Sequence, residues 1–557
     1  MARGVDLIVV GAGAAGAVIA ARVSEREDRE VLLIEAGPDY GALGGLPRDL
    51  DDGTRNSFRA HDWGYRHRPT TQMVELPLPR GRVVGGSSAV NTCIALRGMP
   101  SDYDEWASLG LSDWSWDKCL PAFKRLETDL DIRNEWHGQD GPVPIRRHPP
   151  EELTPWHAAF LEACDAAGYP RTSDHNDPNS NGAGPHAMNK LEGRRMSAAR
   201  CYLDWRTRAR RNLHIMSETT VRRVLFEGRR AVGVEVEHAD GTVERIAAKK
   251  VVLSGGAIAT PGVLLRSGVG GREDLARLGV EQVADVPAIG AQLLDHPGAA
   301  FFLLPKPGVV DLTGPLIQTA LRLRSPGSAH KNDVQIQSGS GLHLPGRSAR
   351  FVILMIQVGK PRGVGRLRYT SADPHARPLI DSRLLEDHED RAHAVRSLQM
   401  AFQLAEQKVM RDIARPVWPP PPVLRRADWL DAFIRRVSDS GYHPSGTVPM
   451  GREGDPAAAT DGRGRVRGTE NLVVADASLM PTIPTANTHI PTLMIGERFG
   501  EWLREGEVLP TLARTRERRG QKTATTEGRD SVPSCAPRSL VCSPWPRCWR
   551  GAARRRA

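Results

Sequence analysis

Two of the 17 histidines stand in settings suited to moving protons. His443 lies between Tyr442 and Pro444, a turn-forming context that presents an imidazole. His489 lies in Thr488-His489-Ile490-Pro491-Thr492, where Pro491 suits the first turn of a helix. A free imidazole has a pKa of about 6.5 and so exchanges its proton near neutrality. A second set of residues suits a nucleotide. Gly11, Gly13 and Gly16, spaced around Ala14 and Ala15 as Gly-x-Gly-x-x-Gly, follow an apolar run at 7–10. Gly11 permits a tight turn, Gly13 lets backbone approach a pyrophosphate, and Gly16 lets a helix sit close on a strand. Glu35, followed by Ala36, ends a second apolar run 19 residues after Gly16. Its carboxylate can accept from ribose hydroxyls, which favours NAD or FAD over NADP.

These residues need elements to hold them. Residues 7–10 and 31–34 are continuous apolar runs, the pattern of buried parallel strands, and 17–23 reads as the helix between them. The class is α/β. Residues 80–91, Arg-Gly-Arg-Val-Val-Gly-Gly-Ser-Ser-Ala-Val-Asn, pair glycines and serines in a way that lets backbone lie against a flat or anionic ligand. The alternating stretch 211–241 predicts strands and hairpins. Residues 251–253 predict a buried strand, with Thr260-Pro261 as cap and first turn of the helix behind it. Strand-like segments near 334–337, 351–358 and 365–369 precede helical ones. The run Pro-Val-Trp-Pro-Pro-Pro-Pro-Val at 416–423 predicts a stiff polyproline connector.

Composition narrows the function. The 557 residues are 40% hydrophobic and 25% charged, ordinary for a folded protein large enough for more than one core. No apolar run reaches 18 residues, so no membrane span is expected. The net charge of +10 is concentrated in residues 511–557, which carry +9 and read as a disordered basic tail; the remainder carries +1 and shows no nucleic-acid footprint. The seven cysteines show neither a CxxC pair nor metal-ligand spacing, and no metal is expected. With the first strand starting at once after Met-Ala-Arg-Gly, a cytoplasmic location is the expectation. No Gly-x-Ser-x-Gly elbow supports a serine hydrolase.

Four further segments give the chain a family likeness. PRGRVVGGSSAVNTCIALRGMPSDYDEW at 79–106, GGAIATPGVLLRSGVG at 255–270, GYHPSGTVPMG at 441–451 and NLVVADASLMPTIPTANTHIPTLMIGE at 471–497 resemble, in order, the signature and catalytic segments of the glucose–methanol–choline (GMC) FAD oxidoreductases. The likeness runs from about residue 5 to 505 and leans towards the choline dehydrogenase and aryl-alcohol oxidase branch. It implies FAD as cofactor, contacted by the Gly11–Gly16 loop, Glu35 and Ala36, by Val83, Gly85, Gly86 and Asn91, by Val221 at the adenine end, and by Tyr442, Asp476, Ala477, Thr488, Pro491 and Thr492 at the other. Val90 stands where some members carry the histidine that bonds flavin, so attachment is expected to be non-covalent. His443 is implied as general base and His489 as the group holding the alkoxide. The helix begun by Pro491 would aim its positive N-terminus at the flavin, worth about 0.3–1 kcal/mol to an anionic reduced form.

The implied architecture is a discontinuous Rossmann-like FAD domain (5–147, 191–300, 438–506) and a substrate domain (148–190, 301–437) whose antiparallel sheet is flanked by helices. The implied reaction is oxidation of a small-molecule alcohol to an aldehyde or ketone by hydride transfer to flavin N5, with O2, a quinone or another carrier as acceptor. The competing expectation is a hydroxynitrile lyase-like enzyme that keeps FAD without net redox.

Overall fold

A computed structural model describes residues 4–41, 45–58, 60–343 and 350–506; the basic stretch 511–557 lies outside them. Strand β1 (Val5–Val10) leads into helix α1 (Ala14–Val23) and strand β2 (Val31–Ile34). β1 pairs in parallel with β2 on one side and with Val243–Leu253 on the other. Leu213–Met216 extends the parallel sheet beyond β2, and Leu472–Val474 joins Val243–Leu253. Thr219–Glu227 and Arg230–His238 continue the sheet as an antiparallel meander. The last four residues of β1 and all of β2 are buried, as strands covered on both faces must be.

Two glycines in the C-terminal helix, His489–Arg504, let it lie against α1. A Cβ at Gly496 would sit 2.9 Å from Val18 Cβ and 3.0 Å from Ala15 O, and one at Gly500 would sit 2.7 Å from Arg22 Cβ. Glu497, fully buried between them, accepts from Arg22, Arg125 and Tyr202, so no charge is left unpaired.

The second large sheet is antiparallel. Its order is Ala414–Trp418, Pro297–Pro305, Arg350–Val358, Val334–His343, Ile317–Leu323, Gly182–Pro185, with Asp439–Ser440 beside Pro297–Pro305. Helices Pro155–Ala166 and His388–Ala405 cover one face through a core that includes Trp156, Phe160, Phe301, Leu354, Leu398 and Phe402. The alternation of strands sends Gln335 and Gln357, directly paired across two strands, to the opposite face. On that face Gln357 reaches the His443 side chain described below.

The polyproline reading of 416–423 is corrected. Residues 414–418 are an edge strand, and Pro421–Arg425 is a short helix with prolines in its first turn. An edge strand and a first helical turn are the two places where a missing N–H costs least. The helix expected to start at Thr260 starts instead at Gly256 and runs to Arg266, with Pro261 inside it. A proline there frees the carbonyl of Ala257 four residues back. The buried Thr447 hydroxyl donates to that carbonyl at 2.6 Å, which lets the helix continue.

A buried cluster away from the cleft joins three carboxylates to three cations. His137 Nδ1 lies 2.9 Å from Glu127 and Asp129, and its Nε2 lies 2.9 Å from Asp174. Arg97 pairs with Glu127, and Arg147 with Asp129 and Asp174. Burial alone would push His137 down, but its bonds to Asp129, Asp174 and Glu127 hold its pKa up at about 10. Glu127, Asp129 and His137 have the spacing of metal ligands, yet with His137 charged the six side chains balance without an ion.

Candidate active site

One cleft runs from the glycine loop to the two histidines. At one end it is lined by Gly11, Gly13, Ala14, Ala15, Glu35, Ala36 and Val221, at the other by Tyr442, His443, Asn487, Thr488, His489 and Thr492, and between them by Gly86, Asn91, Asp476 and Ala477. Of the residues singled out in the sequence, Gly16, Val83, Gly85 and Pro491 do not line it. Gly16 is a packing residue, since a Cβ there would fall 1.9 Å from Gly11 O. Val83 packs with Leu50, Ala89 and Val90. Gly85 turns the chain at φ +107° so that Gly86 can reach the cleft. Pro491 is buried in the first turn of a helix that begins two residues earlier than expected, at His489.

Glu35 organises the nucleotide end. Its two oxygens accept from Ala12 N at 2.9 Å and Gly37 N at 3.0 Å, fastening the glycine loop to β2. Burial lifts its pKa to about 7 against the pull of those N–H groups. The Glu35 main chain bonds Met216 O and Thr219 N, which brings Val221 to this end of the cleft. Asp476 is committed to the protein. Its carboxylate accepts from Gly256 N, Thr260 Oγ1 and Ser478 N, and so caps the helix that starts at Gly256. The first turns of α1, of Gly256–Arg266 and of the C-terminal helix all line the cleft, bringing three positive dipole ends to it.

His443 anchors the other end. Tyr442 takes a left-handed backbone conformation at φ +62°, and its N–H donates to Ser440 Oγ at 2.7 Å. The His443 N–H donates to Asp295 Oδ1 at 3.0 Å. The side chain is 7% exposed. Its Nδ1 lies 3.0 Å from His296 Nδ1 and 3.0 Å from the Gln357 amide, and its Nε2 lies 2.9 Å from the Asn487 amide. Gly441 makes this crowding possible: a Cβ there would lie 2.2 Å from Gln357 Nε2 and 2.9 Å from His443 Nδ1. Burial, then His296 and Arg80, push the His443 pKa well below its usual value, so the imidazole is neutral at neutral pH. His489 lies 3.4 Å from Asn189 Nδ2, and burial lowers its pKa to about 4.

Sequence reading missed His296, Gln357 and Asn487. His296 stands in Asp295-His296-Pro297, and Asn487 stands two residues before His489, inside a segment already marked by family likeness. Gln357 had no local signal; only the sheet register places it here.

Residues 5–298 and 361–496 match the GMC oxidoreductase family. The chain belongs to that family. It is 36% identical to the oxygen-dependent choline dehydrogenase 1 of Chromohalobacter salexigens, over 91% of this chain and 96% of that one. It is 33% identical to the 5-(hydroxymethyl)furfural oxidase of a Methylovorus strain, over 89% and 98%. The crystal structure of pyridoxine 4-oxidase from Mesorbium loti superposes with a TM-score of 0.82 at 30% identity, covering 90% of this chain and 99% of that one.

As a GMC oxidoreductase the chain is an FAD-dependent enzyme that oxidises alcohols. The cleft fits the cofactor on its own evidence. A Cβ at Gly13 would meet only Gly86 Cα, at 4.0 Å, and one at Gly256 would meet nothing within 4 Å. Backbone there is open to a ligand and not packed on protein, as a pyrophosphate and a flat ring require. Position 90 is valine, which offers no nucleophile for a covalent bond.

Proposed function

We propose that His443 is the general base and that His489 holds the developing alkoxide while a hydride passes from the alcohol carbon to FAD. The observation that supports this reading is the continuity of the cleft, which carries the glycine loop and both histidines on one wall system. FAD, when bound, supplies the hydride acceptor. The chain supplies the rest. His443 is neutral and so can take the hydroxyl proton at Nε2. Asn487 and His489 offer polar groups to the oxygen left behind. The N-terminus of the C-terminal helix places positive potential at the same end.

The discontinuous FAD domain (5–147, 191–300, 438–506) and the substrate domain (148–190, 301–437) belong to this reading, supported by the separate parallel and antiparallel sheets. So does an acceptor that is O2 or a carrier such as a quinone. Among the described residues no helix is long and apolar enough to cross a membrane, and Cys93, Cys119, Cys164 and Cys201 are unpaired thiols; a cytoplasmic location fits both.

The test is the visible spectrum of the purified FAD enzyme during anaerobic addition of an alcohol panel that includes choline, 5-(hydroxymethyl)furfural and pyridoxine. Bleaching of the flavin bands is the expected result, and the rate of recovery in air separates oxidase from dehydrogenase. Bound flavin that no alcohol bleaches, with a cyanohydrin cleaved instead, would establish the lyase reading.

A further inference from the structure

The histidine behind the base has a fixed hydrogen. His296 Nε2 lies 3.1 Å from Gly359 O and 3.0 Å from Pro484 O. Carbonyl oxygens only accept, so Nε2 carries a hydrogen and donates to them. The ring is enclosed, 1% exposed, and neutral, so its Nδ1 is a bare lone pair. That lone pair faces His443 Nδ1 at 3.0 Å, with the rings 80° apart. Two lone pairs cannot face each other at hydrogen-bond distance, so His443 carries its hydrogen on Nδ1. Its Nε2 then carries the lone pair, which accepts from Asn487 Nδ2 at 2.9 Å in the cleft. The Gln357 amide sits with Nε2 3.0 Å from Nδ1 and Oε1 3.0 Å from Gln335 Nε2; with hydrogen on Nδ1 both amides must turn over, so that Gln357 Oε1 accepts from it.

We propose that His296 is a positioning residue for the oxidation: through its Nδ1 it holds His443 in the Nδ1–H tautomer, keeping the basic Nε2 lone pair towards the alcohol. The inference rests on the reading of His443 as base. The proton balance is simple. The alcohol O–H bond breaks, an N–H bond forms at His443 Nε2, and the Nδ1–H donated to His296 and Gln357 remains. The main-chain carbonyls of Gly359 and Pro484 orient His296 as a carboxylate orients the histidine of a catalytic triad.

The experiment is 15N imidazole NMR of the FAD-loaded enzyme, with the His443 signals assigned by their loss in His443→Gln. It is read beside anaerobic flavin reduction by whichever alcohol bleaches the native enzyme. The native enzyme is expected to show His443 with hydrogen on Nδ1 and a bare Nε2. In His296→Leu nothing opposes the Gln357 amide turning back to donate to Nδ1, so the hydrogen moves to Nε2 and flavin reduction slows roughly 10- to 100-fold, the usual cost of losing an orienting partner. In His296→Asn, whose side-chain oxygen replaces the Nδ1 acceptor, the native tautomer and most of the rate return. A native His443 with hydrogen on Nε2 would overturn the proposal. So would His296→Leu with the native tautomer and rate. If the tautomer shifts as stated but His443→Gln reduces flavin at the native rate, the base reading fails and the positioning role falls with it; the NMR shift read beside that rate identifies the case.

Discussion

A single nitrogen decides the catalytic end of the cleft. His443 is buried against His296, Gln357 and Asn487, and its neutrality leaves one lone pair, which in the proposed mechanism takes the alcohol proton. His443→Ala is expected to keep the flavin absorbance and to slow anaerobic flavin reduction about 10²- to 10⁴-fold, the range for a positioned proton acceptor. Loss of the absorbance itself would show that the residue holds the fold or cofactor and not the proton. At the nucleotide end the constraint is steric. Gly11 has φ +96°, and a Cβ there would lie 2.5 Å from Ser254 O. Gly11→Ala should therefore cost about 1–3 kcal/mol and lower the melting temperature. The glycines and Glu35 were legible in the sequence because each stands in a short pattern with its own physical reason, and both histidines through the family likeness of the segments around them. The contacts of Gln357 and His296 with His443 were not, because nothing near them in the chain points to His443.

Elements were legible where their signals are local. β1, α1 and β2 follow from two apolar runs and the glycines between them. The helix Gly256–Arg266 was misplaced because its cap is not local: Asp476, far along the chain, accepts from Gly256 N, whereas Thr260 and Pro261 imitate a start. The repair of Pro261 is equally remote. Thr447→Val would leave the Ala257 carbonyl without a donor in a buried setting, at a cost of about 1–3 kcal/mol. Pro261→Ala restores an N–H that can bond that carbonyl. The double variant should then be less destabilised than the sum of the two single ones, measured by denaturant unfolding. Simple additivity would show that the hydroxyl does not serve the carbonyl.

For the whole molecule, buried histidines make stability depend on pH in both directions. His443, His296 and His489 have folded pKa values below the usual 6.5, the last two at about 4. Below pH about 6.5 the unfolded chain takes up protons that the folded chain refuses, so stability falls as pH falls. His137 has the opposite sign. Its folded pKa of about 10 means its contribution is complete below pH about 6.5 and is lost as pH rises towards 10. Melting temperatures should therefore decline on both sides of neutrality, and His137→Gln should flatten the alkaline limb while sparing the acid one. An unchanged alkaline limb in that variant would mean that His137 is not charged in the folded protein.

The strand order also bears on how the enzyme is made. The parallel sheet that begins with Val5 is completed only by Leu472–Val474, and the helix that packs on α1 is the still later His489–Arg504. Nearly the whole chain must leave the ribosome before the nucleotide end has its last strand or the histidine end exists. Cofactor capture is therefore expected only once residues 472–504 have emerged, and the emerging chain carries half-covered apolar strands for most of its synthesis. Nascent chains stalled short of residue 472 should retain no flavin and depend on chaperones to stay dispersed.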